Sequence, residues 1–321
     1  MSSVVPAVAA EDAHLSPFRG RPPLNVSYQT AYGRMIHGLS DEILMSGALE
    51  RFEGKVNLVF TSPPFPLNRK KRYGNKNGNE YIEWLSAYGP SLKKILAPDG
   101  SIVMEVGNSW EQGAPVMSTL PIRSLLRFQE DNGFYLCQEF VWHNPAKLPT
   151  PAQWVNVERL RVKDNFTKIW WMSPSPKPKA DNRRVLQEYS KSMKDLLKTG
   201  KYNSGKRPSE HHIGEQSFLF DNGGAIPGNV LTFANTQAND EYQTYCRIND
   251  IEPHPARMPI ELAGFFIQFL TVPGDLVFDP FGGSNTTGAA SERLNRYWLT
   301  IEAEEKYILG SKGRFPILLP V

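Results

Sequence analysis

The sequence predicts an α/β protein, a mostly parallel, doubly wound sheet interrupted by a smaller inserted region. Three observations point there. Short apolar runs alternate with helical patterns between residues 41 and 142, and again after 253, the rhythm of strands joined by crossover helices. Two of the runs, Val56–Thr61 and Leu276–Phe278, stop abruptly at Ser62-Pro63-Pro64-Phe65 and at Asp279-Pro280-Phe281-Gly282-Gly283. Between 144 and 253 the rhythm fails, and proline, glycine and basic residues dominate. A chain of 321 residues accommodates one such domain with an insertion.

Taken in order, residues 1–27 are rich in Pro, Ala and Ser and read as a loose arm. Asp41–Phe52 carries Ile43, Leu44, Leu49 and Phe52 at helical spacing. Val56–Thr61 is a buried strand that two consecutive prolines end, because proline has no N–H for the ladder. Pro66–Asn79 reads as a basic loop, with Arg69, Lys70, Lys71 and Arg72 followed by Gly and Asn. A helix is predicted over Glu80–Leu96, then a Pro98-Asp99-Gly100 turn and a strand Ser101–Val106. Leu120–Asn132 reads as a helix stopped by Gly133, and Phe134–Trp142 as a strand. Ile169-Trp170-Trp171 marks one more strand, with both indoles in the core, and Ser173–Asp250 is the insertion, with a helix over Asp181–Lys198. The sheet rhythm returns with a helix Ile260–Leu270 and the strand Leu276–Phe278. Gly282 and Gly283 then allow a sharp turn into a helix Thr286–Arg296, which Ser284 or Asn285 can cap. The last strand, Tyr297–Ile301, ends on Glu302.

The net charge of +3 hides an asymmetry: residues 147–210 hold 15 Lys and Arg against 6 Asp and Glu. One basic region on an acidic body suggests a polyanion partner. Two cysteines, Cys137 and Cys246, are too few for a disulfide framework or a Cys-based zinc site, and no metal site is expected. No apolar run is long enough for a membrane span. Met1–Ala10 lacks a basic leader, so a cytoplasmic protein is expected.

A strand, a glycine turn and a helix start together collect unpaired backbone N–H groups and make a cofactor cradle. The spacing Gly282-Gly283-Ser284 breaks the nicotinamide fingerprint, and the absence of lysine from the turn breaks the phosphate loop. An acid closing the following strand, here Glu302, is placed to hold a ribose diol. Ser62-Pro63-Pro64-Phe65 also sits at a strand's carboxyl end, and if the two strands are neighbours both motifs share one crevice. In this combination the chain resembles a β-class amino DNA methyltransferase of a restriction–modification system. Supporting pieces are His254-Pro255-Ala256-Arg257-Met258-Pro259 with its following helix, Asp279–Ser284, and Ile301-Glu302. The resemblance covers about 28–172 and 253–310. Leu39 stands where relatives often have Asp, Asn285 where they have Gly, and Phe65 where Tyr is commoner.

The resemblance implies a Rossmann-like, seven-stranded methyltransferase sheet. Residues 28–172 would be the catalytic half, 173–250 a target-recognition region and 251–321 the cofactor-binding half. S-adenosylmethionine is the implied cofactor, held by Pro255, Asp279, Pro280, Phe281, Gly282, Gly283, Ser284 and Glu302, with Asp279 facing its amino group. Ser62, Pro63, Pro64 and Phe65 are the implied catalytic residues, and Ser62 in place of Asp or Asn favours cytosine N4 over adenine N6. Double-stranded DNA is the expected partner, contacted by Arg69, Lys70, Lys71, Arg72, Arg183, Arg184, Lys191 and Lys194. A monomer without a stable endonuclease complex is expected. Cytosine C5 chemistry needs a cysteine nucleophile, and Cys137 reads instead as a strand residue. His211 and His212 read as surface residues and His254 as positional. A catalytically idle DNA-binding module and an RNA or protein methyltransferase are the rival readings.

Overall fold

The computed structural model describes residues 17–18, 24–65, 78–201, 205–206, 212–213, 218–236 and 240–321. The chain divides into two compact units, residues 1–180 with 229–321, and residues 181–228. The first unit alternates strand and helix as the sequence foreshadows. β1 (Val26–Gln29) and β2 (Gly33–His37) lead into α1 (Ser40–Met45), β3 (Val56–Thr61), α2 (Gly78–Ser86), α3 (Gly89–Ile95) and β4 (Leu96–Val106). α4 (Leu120–Asp131), β5 (Tyr135–His143) and β6 (Phe166–Ser173) follow.

The second unit contributes α5 (Lys191–Thr199), β7 (Gly205–Lys206) and β8 (His212–Ile213), the last two paired antiparallel. A short 3-10 turn, Asn182–Val185, precedes α5. Asp181 caps that turn, and Ser190 caps α5 by accepting from the Met193 N–H. The helix expected over Asp181–Lys198 is therefore two pieces, each with its own polar cap. β9 (Val230–Thr232), α6 (Glu241–Ile248), α7 (Ile260–Leu270), β10 (Leu276–Asp279), α8 (Thr286–Arg293), β11 (Tyr297–Glu302) and α9 (Glu305–Ser311) return to the first unit. The compact second unit is thus shorter than Ser173–Asp250, because β9 pairs with β5 and α6 packs beside α9.

The main sheet runs β1-β2-β11-β10-β3-β4-β6-β5-β9. Pairing is parallel from β2 through β4; β6 lies antiparallel between β4 and β5. Seven strands, from β2 across to β5, form the expected array, and two short strands, β1 and β9, extend its edges to nine. Along β3, Val59 packs on one face with Tyr81, Leu85 and Phe128, while Leu58 and Phe60 pack on the other with Leu262 and Phe266. This period-two partition is how the strand buries both its faces under helices.

The helix expected over Thr286–Arg296 ends at Arg293, two residues before Asn295 takes a left-handed φ of 59°; three further boundaries also differ for local reasons. The helix expected over Asp41–Phe52 ends at Met45, where Gly47 takes a left-handed φ of 78°. The helix expected over Glu80–Leu96 breaks at Ala87-Tyr88 and restarts at Gly89-Pro90, since proline cannot donate to the preceding turn and fits a helix's first positions. Pro98-Asp99-Gly100 lies within the continuous β4 and coincides with a register shift between β3 and β4. At the amino end, Phe18 is buried edge-on against Phe52 and Tyr297, so part of the expected arm is anchored to the body.

Candidate active site

β3 and β10 are neighbours in the sheet, so the two strand-ending motifs meet at the point where connections leave in opposite directions. A cavity of about 620 Å³ opens there, within the range of small-molecule sites. Ser62, Pro63, Pro64 and Phe65 line it from β3, and Asp279, Pro280, Phe281, Gly282, Gly283 and Ser284 from β10; Glu302 closes it from β11. Pro255 does not line it, although its neighbours His254 and Ala256 do. Arg69, Lys70, Lys71 and Arg72 lie outside the described residues. Arg183, Arg184, Lys191 and Lys194 belong to the second unit, where the first two ion-pair with Asp181 and Lys194 with Glu188.

The β10 side of the cavity is built on carboxylates held by hydrogen bonds. Asp279, 3% exposed, accepts Thr61 Oγ1 at 2.8 Å and the Phe281 N–H at 3.0 Å on Oδ1, and Thr287 Oγ1 at 2.7 Å on Oδ2. Burial raises its pKa against the pull of those hydrogen bonds. Glu302 takes the Gly283 N–H at 2.6 Å on Oε2 and the Glu304 N–H at 2.9 Å on Oε1. Burial raises its pKa too, and Asp279 adds to the rise. Each carboxylate oxygen has more than one acceptor direction, so both acids retain capacity for a ligand's ammonium or diol.

Asn285 adopts φ 53° and caps α8 by accepting the Gly288 N–H at 3.0 Å. Asparagine is among the few residues besides glycine that tolerate this conformation, so it can stand here in a glycine's place. The wall opposite is aromatic: Phe281 lies 5.7 Å from Trp84 and 5.3 Å from Tyr88, ring to ring. Asp41 accepts from the Trp84 indole at 3.1 Å and from the Tyr88 hydroxyl, fixing that wall. An acid therefore reaches the cavity from Asp41, two positions beyond Leu39, which also lines it.

The β3 side of the cavity holds a residue that sequence reasoning missed. Ser62 Oγ donates to Glu105 Oε2 at 2.5 Å. Glu105 is 4% exposed on β4, and burial raises its pKa while Ser62 and the Lys147 ammonium draw it down. The signal was present: Glu105 is the one charged residue in the apolar run Ile102–Val106. Lys147, Asn144 and Asn165 also line this side. Arg314 had no signal at all. It is buried beneath the glycine turn, with Nε donating to the Ser284 carbonyl at 2.6 Å and Nη2 to Ser284 Oγ and Thr286 Oγ1; burial lowers its pKa to about 10.

Other candidates sort cleanly. Trp170 and Trp171 are buried in β6, and the Trp171 indole donates to Ser101 Oγ at 2.9 Å. Cys137 is half-buried on β5 outside the cavity lining, its thiol pushed up to about 11 by desolvation. His254 stacks edge-on to Tyr307 at 4.4 Å and faces Gly283. The side chains of His211 and His212 lie outside the described residues.

The cavity's chemistry fits S-adenosylmethionine. Its acids, aromatic wall and glycine turn are groups that an ammonium, a ribose and an adenine can use. The sequence profile of a DNA methylase family matches residues 56–312. Type II methyltransferase M.PvuII of Proteus hauseri is 44% identical over 291 residues, 90% of this chain and 85% of that protein. M.BglII of Bacillus subtilis is 28% identical, over 82% of this chain and 64% of its own length. The solved PvuII DNA methyltransferase (cytosine-N4-specific) superposes with a TM-score of 0.74 at 37% identity, covering 92% of this chain and 91% of that one. The M1.HpyAVI–SAM complex, at 21% identity and a TM-score of 0.52, shares the fold. The chain belongs to the DNA methylase family of N6- and N4-directed, S-adenosylmethionine-dependent methyltransferases.

Proposed function

We propose that this protein methylates the exocyclic N4 of a cytosine flipped out of duplex DNA, protecting host DNA from a cognate restriction endonuclease. The 44% identity to a type II methyltransferase supports the class of substrate. The observation that carries the chemistry is the Ser62–Glu105 hydrogen bond. With its proton committed to Glu105, the Ser62 oxygen has only lone pairs to offer the cavity. An amino group is a poor nucleophile while its lone pair is delocalised into the ring. Hydrogen bonds from its two hydrogens to Ser62 Oγ and the Pro63 carbonyl favour a pyramidal nitrogen. S-adenosylmethionine, when bound, supplies an electrophilic methyl on a sulfonium sulfur.

Alignment of nitrogen and methyl is then the main source of rate. The methylated nitrogen must shed one proton, and Ser62 can pass it to the Glu105 carboxylate, whose raised pKa suits an acceptor. Phe65 offers a face for the flipped base. The second compact unit, with Arg183, Arg184, Lys191 and Lys194, is the proposed target-recognition element, and the 66–77 segment contributes phosphate contacts through Arg69–Arg72. The protein acts as a cytoplasmic monomer without a stable endonuclease complex; no helix among the described residues is long and apolar enough to cross a membrane.

Transfer of labelled methyl to plasmid DNA, followed by nucleoside analysis, tests the reading. N4-methylcytosine is the expected product. N6-methyladenine alone would refute the base assignment, and transfer to RNA in preference to duplex DNA would refute the substrate.

A further inference from the structure

Ser62 Oγ and the Pro63 carbonyl grip an amino group, and cytosine and adenine both have one. Both bases also place an acceptor ring nitrogen beside it. The next position along that edge separates them, because cytosine has the O2 carbonyl and adenine has a C–H. Choosing cytosine therefore requires a donor elsewhere in the cavity.

Lys147 supplies one. It sits on the segment that follows β5 and lines the same cavity as Ser62 and Glu105. Its Nζ is 3.3 Å from Asp164 Oδ2, with the two side chains 31% and 11% exposed. Asp164 is itself fixed: its Oδ1 accepts Asn108 Nδ2 at 3.0 Å, and the same amide donates to the Phe166 carbonyl at 3.2 Å. The Lys147 backbone N–H is tied to the Asn144 carbonyl at 3.2 Å. Three segments, those after β4, after β5 and before β6, thus converge to hold one ammonium at the cavity wall. An ammonium has three N–H donors, and Asp164 takes one.

We propose that Lys147 reads the O2 carbonyl of the target base and so makes the pocket select cytosine over adenine. The proposal rests on the cytosine-N4 reading above. With cytosine in place, O2 accepts one of the two remaining Lys147 donors. With adenine, a C–H faces a partly desolvated ammonium whose donors go unmet. A site built around a hydrogen bond discriminates strongly against the analogue that lacks it.

Lys147 also acts on Glu105, holding its carboxyl down against desolvation, so the test must separate the two roles. After the modified site is mapped by sequencing, wild type and Lys147→Met are assayed on duplexes carrying cytosine, or adenine opposite the same guanine, at the target position. A third duplex carries a 2-aminopyridine C-nucleoside there. This probe keeps the amino group and ring nitrogen and places C–H where O2 stood.

The expected result is a fall of roughly 10- to 100-fold in kcat/KM of Lys147→Met on cytosine, the range of one charged hydrogen bond. Its rates on adenine and on the probe should change by less than about threefold, so selectivity collapses. Wild type should discriminate against the probe, and this arm stands even if the variant folds poorly. Equal losses on all three duplexes, with only the acid limb of the pH profile displaced, would show that Lys147 serves Glu105 alone and would overturn the proposal. Wild type using cytosine and the probe equally well would also overturn it. A wild type that makes no N4-methylcytosine would instead overturn the underlying reading.

Discussion

At Ser62 one hydrogen bond decides what the hydroxyl can do, since a donor to Glu105 is left as an acceptor toward the cavity. Ser62→Ala should slow transfer by about ten- to a thousandfold, the range for a missing transition-state hydrogen bond, with cofactor affinity unchanged. Single-turnover methylation beside equilibrium dialysis of S-adenosylmethionine checks both halves. If affinity collapses with rate, Ser62 has been given to the wrong half of the cavity. Glu105 yields a pH test. Burial lifts its carboxyl above the ordinary value, so the folded state binds a proton that the unfolded chain has already released. Stability contributed by this group therefore falls as pH rises from the ordinary carboxyl range through the raised value. Catalysis moves oppositely, rising as Glu105 ionises. Glu105→Gln should lose the acid limb of the rate profile along with most of the rate, and its Tm should decline less steeply with pH than that of wild type.

At the scale of elements, the cradle between β10 and α8 is where sequence and structure agree most closely. The strand, the cap at Asn285 and the acid at Glu302 that ends the following strand were all legible, because each is a local signal of turn chemistry or periodicity. The Glu80–Leu96 stretch keeps its helical spacing across Ala87-Tyr88, but the proline at position 90 makes the backbone start a new helix there. Glu105, Lys147 and Arg314 were missed for a different reason. Their roles arise from partners on other elements, as Arg314 shows by bonding Ser284 and Thr286 from the chain's last turn. For the cradle itself, Asp279→Ala and Glu302→Ala should weaken S-adenosylmethionine binding while leaving non-specific DNA affinity intact, measured by calorimetry and filter binding. Gly283→Val should be worse than either. Its φ is 51°, and a Cβ there would stand 3.3 Å from His254 Nε2, so a branched residue adds backbone strain to a crowded neighbourhood. Unchanged cofactor affinity in all three variants would overturn this account of the turn.

For the whole molecule, charge is unevenly placed, and the basic stretch of residues 147–210 runs from the first unit into the second. Arg183, Arg184 and Lys194 spend their charge on pairs with Asp181 and Glu188 near the surface, and pairs of this kind are weak enough to yield to phosphate. Neutralising these three with Lys191 should lower DNA affinity and flatten its salt dependence, by roughly one unit of log–log slope for each phosphate that the variant no longer neutralises. An unchanged slope with normal methylation would mean that these residues only solvate the surface.

The adjacency of β3 and β10 reaches beyond the reaction to the birth of the protein. Thr61 and Asp279, joined by a hydrogen bond at the sheet's centre, stand 218 positions apart in the chain. Closing so long a loop delays the pairing that gives the sheet its middle. On the ribosome, β3 emerges long before β10, and its β10-facing edge is made well ahead of its partner. The cavity needs both motifs, so it takes shape only once Asp279–Ser284 stands beside Ser62–Phe65.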